Sequence, residues 1–424
     1  MTALEYLNRL PAAHDAGRRV GITSVCSAHP LVIEAALLQA GTGVALIEAT
    51  CNQVNQDGGY TGMTPAGFRA YVLGIAARVE FPADNILFGG DHLGPNPWRK
   101  LSADQAMAKA LVMTEAYAAA GFAKIHLDAS MACAGDPDPL PPATIATRSA
   151  LLAQAAERGA AGLPAPSYII GTEVPVPGGA HEELGELVVT TPQDAATTLA
   201  LHKDAFAAVG LTDAYARVVG LVVQPGVEFG HANVIGYQPA KATSLSTFRD
   251  QTQGVVFEAH STDYQTTAAL TALVQGGFAI LKVGPGLTFA LREALYGLDQ
   301  IAGWLTDYPS GSLPSVMEGL LLDHPSDWAA YYHGTPTEQR LQRHFSYSDR
   351  IRYYWNNPKA QAAVDRLLAA LAGQTVPETL ISQYLPRLYP AVIAGEIAPD
   401  ARALTIAAIR VALAPYSAAC AATP

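Results

Sequence analysis

Asp91 and His92 stand side by side in the stretch Gly89-Gly90-Asp91-His92-Leu93-Gly94-Pro95-Asn96-Pro97-Trp98, directly after an apolar run at 85–88. A carboxylate and an imidazole at the mouth of a buried strand can move a proton or hold a metal. Neighbours on a strand point to opposite faces. Both can therefore reach one pocket only if the strand has ended, and the two glycines make that ending plausible. Asp91 is then a general acid or base, or the acceptor that orients a ligand histidine.

Other apolar runs also end in polar groups: Glu48, Asp128, Glu173, Gln224 with Glu228 and His231, His260, and Lys282. His92, His231 and His260 follow the third, sixth and seventh runs. Three imidazoles on rigid strand ends make an open site for Zn2+, or another divalent metal, with room for substrate. Glu173 is a fourth ligand or a base. His126, inside the fourth run, reads as structural, and His14, His29, His181, His202, His324, His333 and His344 read as surface residues.

Two segments could bind an anion. Gly284-Pro285-Gly286-Leu287-Thr288 opens a helix after the last run, and its N–H groups could cradle a phosphate with Ser261 and Asp263 assisting, or form only a tight turn. In Ser346-Tyr347-Ser348-Asp349-Arg350-Ile351-Arg352, two hydroxyls and two guanidiniums could clamp a phosphate, or Ser348 could simply cap a helix. The predicted substrate-binding group thus includes Glu48 and Lys282, the loop residues Ser261, Asp263, Gly284 and Gly286, and Ser346, Ser348 and Arg350.

The apolar runs lie at 21–25, 44–48, 85–88, 124–128, 167–170, 218–223, 255–258 and 278–283. Being almost wholly apolar, they read as strands of a buried parallel sheet. Helical stretches separate them, among them 101–120, 191–209, 266–275 and 288–304. Eight such units predict a (β/α)8 barrel over 1–310. Beyond it the strand runs stop, and helices at 338–357, 360–372 and 401–414 predict a helical extension, 311–424, packed on the barrel.

Composition agrees with a compact, ordered chain: half of the 424 residues are apolar and 15% are charged. A net charge of -11 disfavours nucleic-acid and anionic-membrane partners. Cys26, Cys51, Cys133 and Cys420 are scattered, without the spacing of a zinc ribbon or a disulfide framework. The first residues lack a signal-peptide pattern, and the apolar run from Leu404 is interrupted by Arg410 and Pro415. These features predict a soluble cytoplasmic protein. The helix from Ala401 is either a subunit contact, as in a homo-oligomer, or core.

The motifs Ile47-Glu48-Ala49-Thr50-Cys51-Asn52-Gln53-Val54-Asn55-Gln56, Tyr60-Thr61-Gly62-Met63-Thr64-Pro65, Phe88 to Asn96, and Ser346 to Trp355 resemble the tagatose-bisphosphate aldolase non-catalytic subunit family, and the resemblance runs over essentially the whole chain. It implies a barrel related to class II aldolases, in which an Asp-His pair follows one strand and the histidine holds zinc. On that likeness Asp91-His92 matches the pair, His231 and His260 match the further zinc histidines, and Glu173 matches a pocket glutamate. His231 departs from the pattern, lying in Gly-His-Ala rather than His-Gly.

Members of the family carry three labels: tagatose-6-phosphate kinase, accessory subunit of a class II aldolase, and ketohexose-phosphate 4-epimerase. No G-x-x-x-x-G-K-[ST] loop supports the first, and an accessory role alone would not call for so complete a set of strand-end groups. The resemblance therefore implies a metal-dependent epimerase of fructose 6-phosphate and tagatose 6-phosphate, with support of a separate aldolase subunit as the alternative. C4 of a 2-ketose is not adjacent to the carbonyl, so its inversion needs oxidation or C3–C4 cleavage. No G-x-G-x-x-G fingerprint follows a strand here, which leaves retro-aldol cleavage as the expected route, with Asp91 and Glu173 moving the protons.

Overall fold

The computed structural model describes residues 1–172 and 187–421. Eight parallel strands close into a barrel: β1 (Ile22–Cys26), β2 (Ala45–Thr50), β3 (Ile86–Leu93), β4 (Lys124–Leu127), β5 (Ser167–Ile170), β6 (Val218–Val222), β7 (Val256–Ala259) and β8 (Phe278–Val283). Each strand pairs with the next, and β8 returns to β1 with Ile280 opposite Ile22. This is the predicted (β/α)8 architecture. A two-stranded ribbon, Glu228–Phe229 with Val234–Ile235, lies in the loop after β6.

The period-two alternation of strands divides the lumen into layers. The floor is apolar: Ile22, Leu46, Leu87, Ile169, Val256 and Ile280 pack with Ala3, Leu7 and Leu10 of the helix Ala3–Asp15. That helix opens with a Thr2–Glu5 capping box. Two residues further along the strands come Ser24, Glu48, Glu258 and Lys282, joined by Lys124 from β4. Two further still come Cys26, Asp91, His126 and His260. The polarity of the lumen thus rises toward the C-terminal ends of the strands.

Gly89 within β3 and Gly94 just after it make room for this arrangement. A Cβ on Gly89 would stand 2.6 Å from Glu48 Oε1, and one on Gly94 only 1.6 Å from the carbonyl oxygen of Asp128. Gly94→Ala is therefore expected to lower stability by about 3 kcal/mol or more, because the obstacle is backbone and cannot rotate away. Urea unfolding of the variant checks this, and a loss below about 1 kcal/mol would contradict it.

The end of the chain is built into the barrel wall. Helix Ala401–Cys420 packs against helices Pro30–Ala40, Thr267–Gln275 and Pro285–Leu305 and buries Leu404, Ile409, Leu413 and Tyr416. The carbonyl of Cys420 accepts the N–H of Gly21 at 3.0 Å, just before β1. Among the described residues this is the one helix long and apolar enough to cross a membrane, and half of its apolar window is buried within the protein. It runs six residues past the expected end at 414, through Pro415. The helix expected over 338–357 is broken. Pro336–Phe345 stops, Asp349 adopts φ 43°, and a 3-10 turn follows at Arg350–Tyr354. The Asp349 carboxylate accepts from Thr288 at 2.6 Å and faces Arg292, which pins the break to the first turn of Pro285–Leu305.

Candidate active site and metal centre

At the C-terminal end of the lumen three imidazoles form a nearly equilateral triangle. Ring centroids of His92 and His126 are 5.0 Å apart, those of His92 and His260 5.0 Å, and those of His126 and His260 5.2 Å. The strand does not end at its glycines, the expected stop, but runs on through Asp91 and His92 to Leu93, and it is an irregularity within it that accompanies the approach of both residues to this point. The β3–β4 register slips between Gly90 and Leu93, and His92 takes a left-handed φ of 49°. A non-glycine residue held there stores strain, which commonly marks a functional site.

Carboxylates orient the imidazoles. His92 Nδ1 lies 2.7 Å from Asp128 Oδ2, His126 Nδ1 2.9 Å from Asp91 Oδ1, and His260 Nε2 3.0 Å from Glu258 Oε1. Burial keeps His126 and His260 neutral: it lowers the His126 imidazole, and burial together with Lys282 pushes His260 down to about 3. Neutral imidazoles are the form that binds metals. His126 Nδ1 faces both the Asp91 carboxylate and, at 3.2 Å, the backbone N–H of His92; in the tautomer whose Nδ1 proton goes to the nearer carboxylate, Nε2, buried without a hydrogen-bond partner, keeps a bare lone pair.

Donor atoms of Asp91, His126, Glu258 and His260 all lie within 4.8 Å of one another, as do those of His92, His126 and Asp128. The donor set, mixed imidazole and carboxylate with carboxylates behind the rings, suits a divalent cation such as zinc. On chemistry and geometry the residues fit the group.

Beneath the triangle lies a buried charge network. Lys124 bridges Glu48 at 2.6 Å and Glu258 at 2.8 Å. Lys282 pairs with Asp91, with Glu258 at 3.2 Å and with Glu48 at 3.6 Å. Burial opposes the charge on Lys282, but Asp91, Glu258 and Glu48 outweigh it and raise the ammonium well above its ordinary range. Lys282 is therefore a fixed cation, not a nucleophilic amine. Burial would likewise raise Asp91, yet the charges of His92 and Lys282 and the hydrogen bond with His126 hold it well below the usual carboxylate range.

A cleft of about 640 Å³, including its open mouth, lies above the triangle. Of the predicted residues, Asp91, His92, His260, Ser261, Asp263, Lys282 and Gly284 line it. Glu173 and His181 lie outside the described residues. Glu48 sits below the cleft and holds lysines. His231 is placed away from the triangle: its Nδ1 meets the hydroxyls of Ser348 at 3.1 Å and Ser346 at 3.3 Å, and its ring abuts Tyr332. The two serines are thus engaged with each other, with His231 and with Tyr332. Arg350 stacks over Tyr331 and donates to the Asp327 carbonyl, whereas Arg352, two residues on, lines the cleft beside Tyr353 and Tyr60.

Sequence reasoning missed His126, Glu258, Lys124 and Cys26, and of the two guanidiniums in 346–352 it placed Arg350, not Arg352, in the substrate-binding group. For the first three the signal was parity: His126 lies two residues before Asp128, Glu258 two before His260, and Lys124 two before His126. Cys26 ends β1, and its Sγ lies 3.4 Å from Asp91 Oδ2. His14, His202 and His344, read as surface residues, are buried. They fill hydrogen-bonded niches under the N-terminal and outer helices, where a polar side chain can be satisfied locally.

Fold and site together define a (β/α)8-barrel protein with a histidine, carboxylate and lysine centre at the C-terminal face of its strands. The chain belongs to the GatZ/KbaZ-like family of D-tagatose-1,6-bisphosphate aldolase subunits, whose model matches residues 7–421. It is 56% identical over 424 residues, 99% of each chain, to the D-tagatose 6-phosphate 4-epimerase of Agrobacterium fabrum (strain C58). It is also 58% identical to a crystal structure described as a probable tagatose 6 phosphate kinase from Sinorhizobium meliloti 1021. That match has a TM-score of 0.88 and covers 94% of this chain and 100% of the other.

Proposed function

We propose that the chain is a ketohexose-phosphate 4-epimerase, interconverting fructose 6-phosphate and tagatose 6-phosphate by breaking and remaking the C3–C4 bond. The observation that carries this reading is the triangle of His92, His126 and His260 walled by Asp91, Glu258 and Lys282, in a chain 56% identical to a D-tagatose 6-phosphate 4-epimerase. The kinase description of the Sinorhizobium structure has no counterpart in a G-x-x-x-x-G-K-[ST] loop of this sequence.

Cleavage moves the C4 hydroxyl proton to a base and the C3–C4 electron pair onto C3, giving an enediolate and a C4 aldehyde. The aldehyde turns in place, C3 attacks its other face, and the proton returns to the new C4 oxygen. Nothing is consumed. His92, His126 and His260, with Asp91 and Glu258 in reach, would hold a zinc or other divalent ion, which would supply Lewis-acid polarisation when bound. Lys282 sets a permanent positive charge beside the carbons that become anionic.

Asp91 is held well below the usual carboxylate range by His92, Lys282 and His126, which makes it a weak base. It anchors Lys282 and His126, and the proton transfer falls to Glu173. Arg352, which no acidic side chain of the described residues pairs with, binds the phosphate beside Tyr60 and Tyr353.

The test is NMR observation of both sugars with purified chain, before and after chelation. Chelation is expected to lower turnover at least about 50-fold, with zinc restoring it. Full-rate epimerisation by metal-stripped protein would overturn the metal role, and release of triose products in a coupled assay would make the chain an aldolase. The family description favours one other reading, support of a separate aldolase subunit. It predicts no turnover by the chain alone and activation of the partner.

A further inference from the structure

The barrel carries the elements of two anion seats at its cleft, and one of them is already filled. The loop after β8 presents two backbone N–H groups at the start of the helix Pro285–Leu305, those of Gly284 and Gly286, while Pro285 between them has none. In barrels of this class, the loops after the last two strands are the usual phosphate seat. Here Asp263 reaches in from the loop after β7. Its Oδ1 accepts the N–H of Gly284 at 3.0 Å and that of Gly286 at 2.7 Å.

The fit is close. The Asp263 side chain is 2% exposed, and a Cβ on Gly286 would stand 3.0 Å from the same oxygen. Both donors that would greet a phosphate are thus spent on a carboxylate of the chain itself. The other seat is the Arg352 guanidinium. It is fixed by hydrogen bonds to the Asp349 carbonyl at 3.2 Å and the Tyr353 hydroxyl at 2.8 Å, and it lines the same cleft as Asp263.

We infer that Asp263 is a specificity-determining residue that limits the cleft to ketoses bearing a single phosphate, by occupying the backbone seat a second phosphate would need. The inference rests on the ketose-phosphate reading above for the class of substrate. A ketose 1,6-bisphosphate placed with one phosphate at Arg352 brings the other toward a carboxylate already hydrogen-bonded in place. It meets both a filled site and a like charge, the two means by which a pocket rejects a near-identical ligand. Removal of the carboxylate exposes two N–H donors at a helix N-terminus, which then accept the anion.

Calorimetric titration tests this without turnover, using metal-loaded full-length protein. Wild type is expected to bind fructose 1,6-bisphosphate on the order of 100-fold more weakly than fructose 6-phosphate. Asp263→Ala is expected to close that gap to within about tenfold and to gain a second binding event for inorganic phosphate. Asp263→Asn, which keeps an oxygen on the two N–H groups, is expected to gain no such event. Equal affinity of wild type for the two sugars, or phosphate binding by Asp263→Ala no different from wild type, would overturn the inference. Should Asp263→Ala fail to fold, the wild-type comparison of the two sugars still decides it. If the chain proves not to be an epimerase, the inorganic phosphate titrations read the filled seat independently.

Discussion

Changing His126 to alanine is expected to remove the bound metal and lower kcat/KM for fructose 6-phosphate epimerisation by about 10³-fold or more, some 4 kcal/mol of transition-state stabilisation. The argument is geometric. His126 is the member common to the two sets of converging donor atoms that contain histidine. Its Nε2 is buried and bare, and its Nδ1 is fixed against Asp91. Its loss takes one corner from the triangle and one hydrogen bond from the carboxylate that holds Lys282. His231→Ala, by contrast, is expected to cost less than about tenfold, because that imidazole touches the hydroxyls of Ser346 and Ser348 and the ring of Tyr332. Metal content after dialysis, measured beside kinetics for both variants, separates the two. Retention of metal by His126→Ala together with its loss from His231→Ala would return the ligand role to His231.

The position of His126 at the triangle, and of His231 beside Ser346 and Ser348, shows where the sequence was legible and where it was not. Strand runs, their count and their polar ends could be read directly, because a parallel barrel needs apolar strands and delivers its chemistry at one rim. That Asp91 and His92 share a pocket was also read, but not for the right reason: the strand runs through both to Leu93, with a register slip and a left-handed His92 in place of the expected end. Depth within the lumen was harder. His126, Lys124 and Glu258 lie inside apolar runs, so each read as part of the packing. Only the phase of the alternation, counted back from Asp128 and His260, places them inward.

Long-range pairing was not legible at all. Nothing local says that the carboxylate of Asp263 fills the turn of Gly284 and Gly286, or that Arg350 stacks away from the cleft while Arg352 faces it. Those choices are made by the break at Asp349. Its left-handed backbone is held by Thr288 and Arg292 from a helix about 60 residues earlier in sequence.

Lys124→Met is expected to destabilise the protein by about 3–5 kcal/mol, the range for breaking a buried ion pair by removing one partner. Lys124 has no exposed surface and is the sole described cation within 3 Å of both Glu48 and Glu258. Burial works against its charge, and the two glutamates reverse that effect and raise it. Methionine nearly matches the volume of lysine, so the loss reports charge rather than a cavity. It leaves Glu48 and Glu258 with Lys282 as the one lysine near them, at 3.6 and 3.2 Å, while that lysine also serves Asp91. The cost arises from uncompensated carboxylates, so removing one of them should recover part of it. The double variant Lys124→Met with Glu48→Gln is expected to regain 1 kcal/mol or more over the single one, a coupling of the size seen between residues in one charge network. Urea unfolding of the two single variants and the double variant completes the cycle. Strictly additive losses would mean that Lys124 and Glu48 act separately and that the lumen is held by packing rather than by its charges.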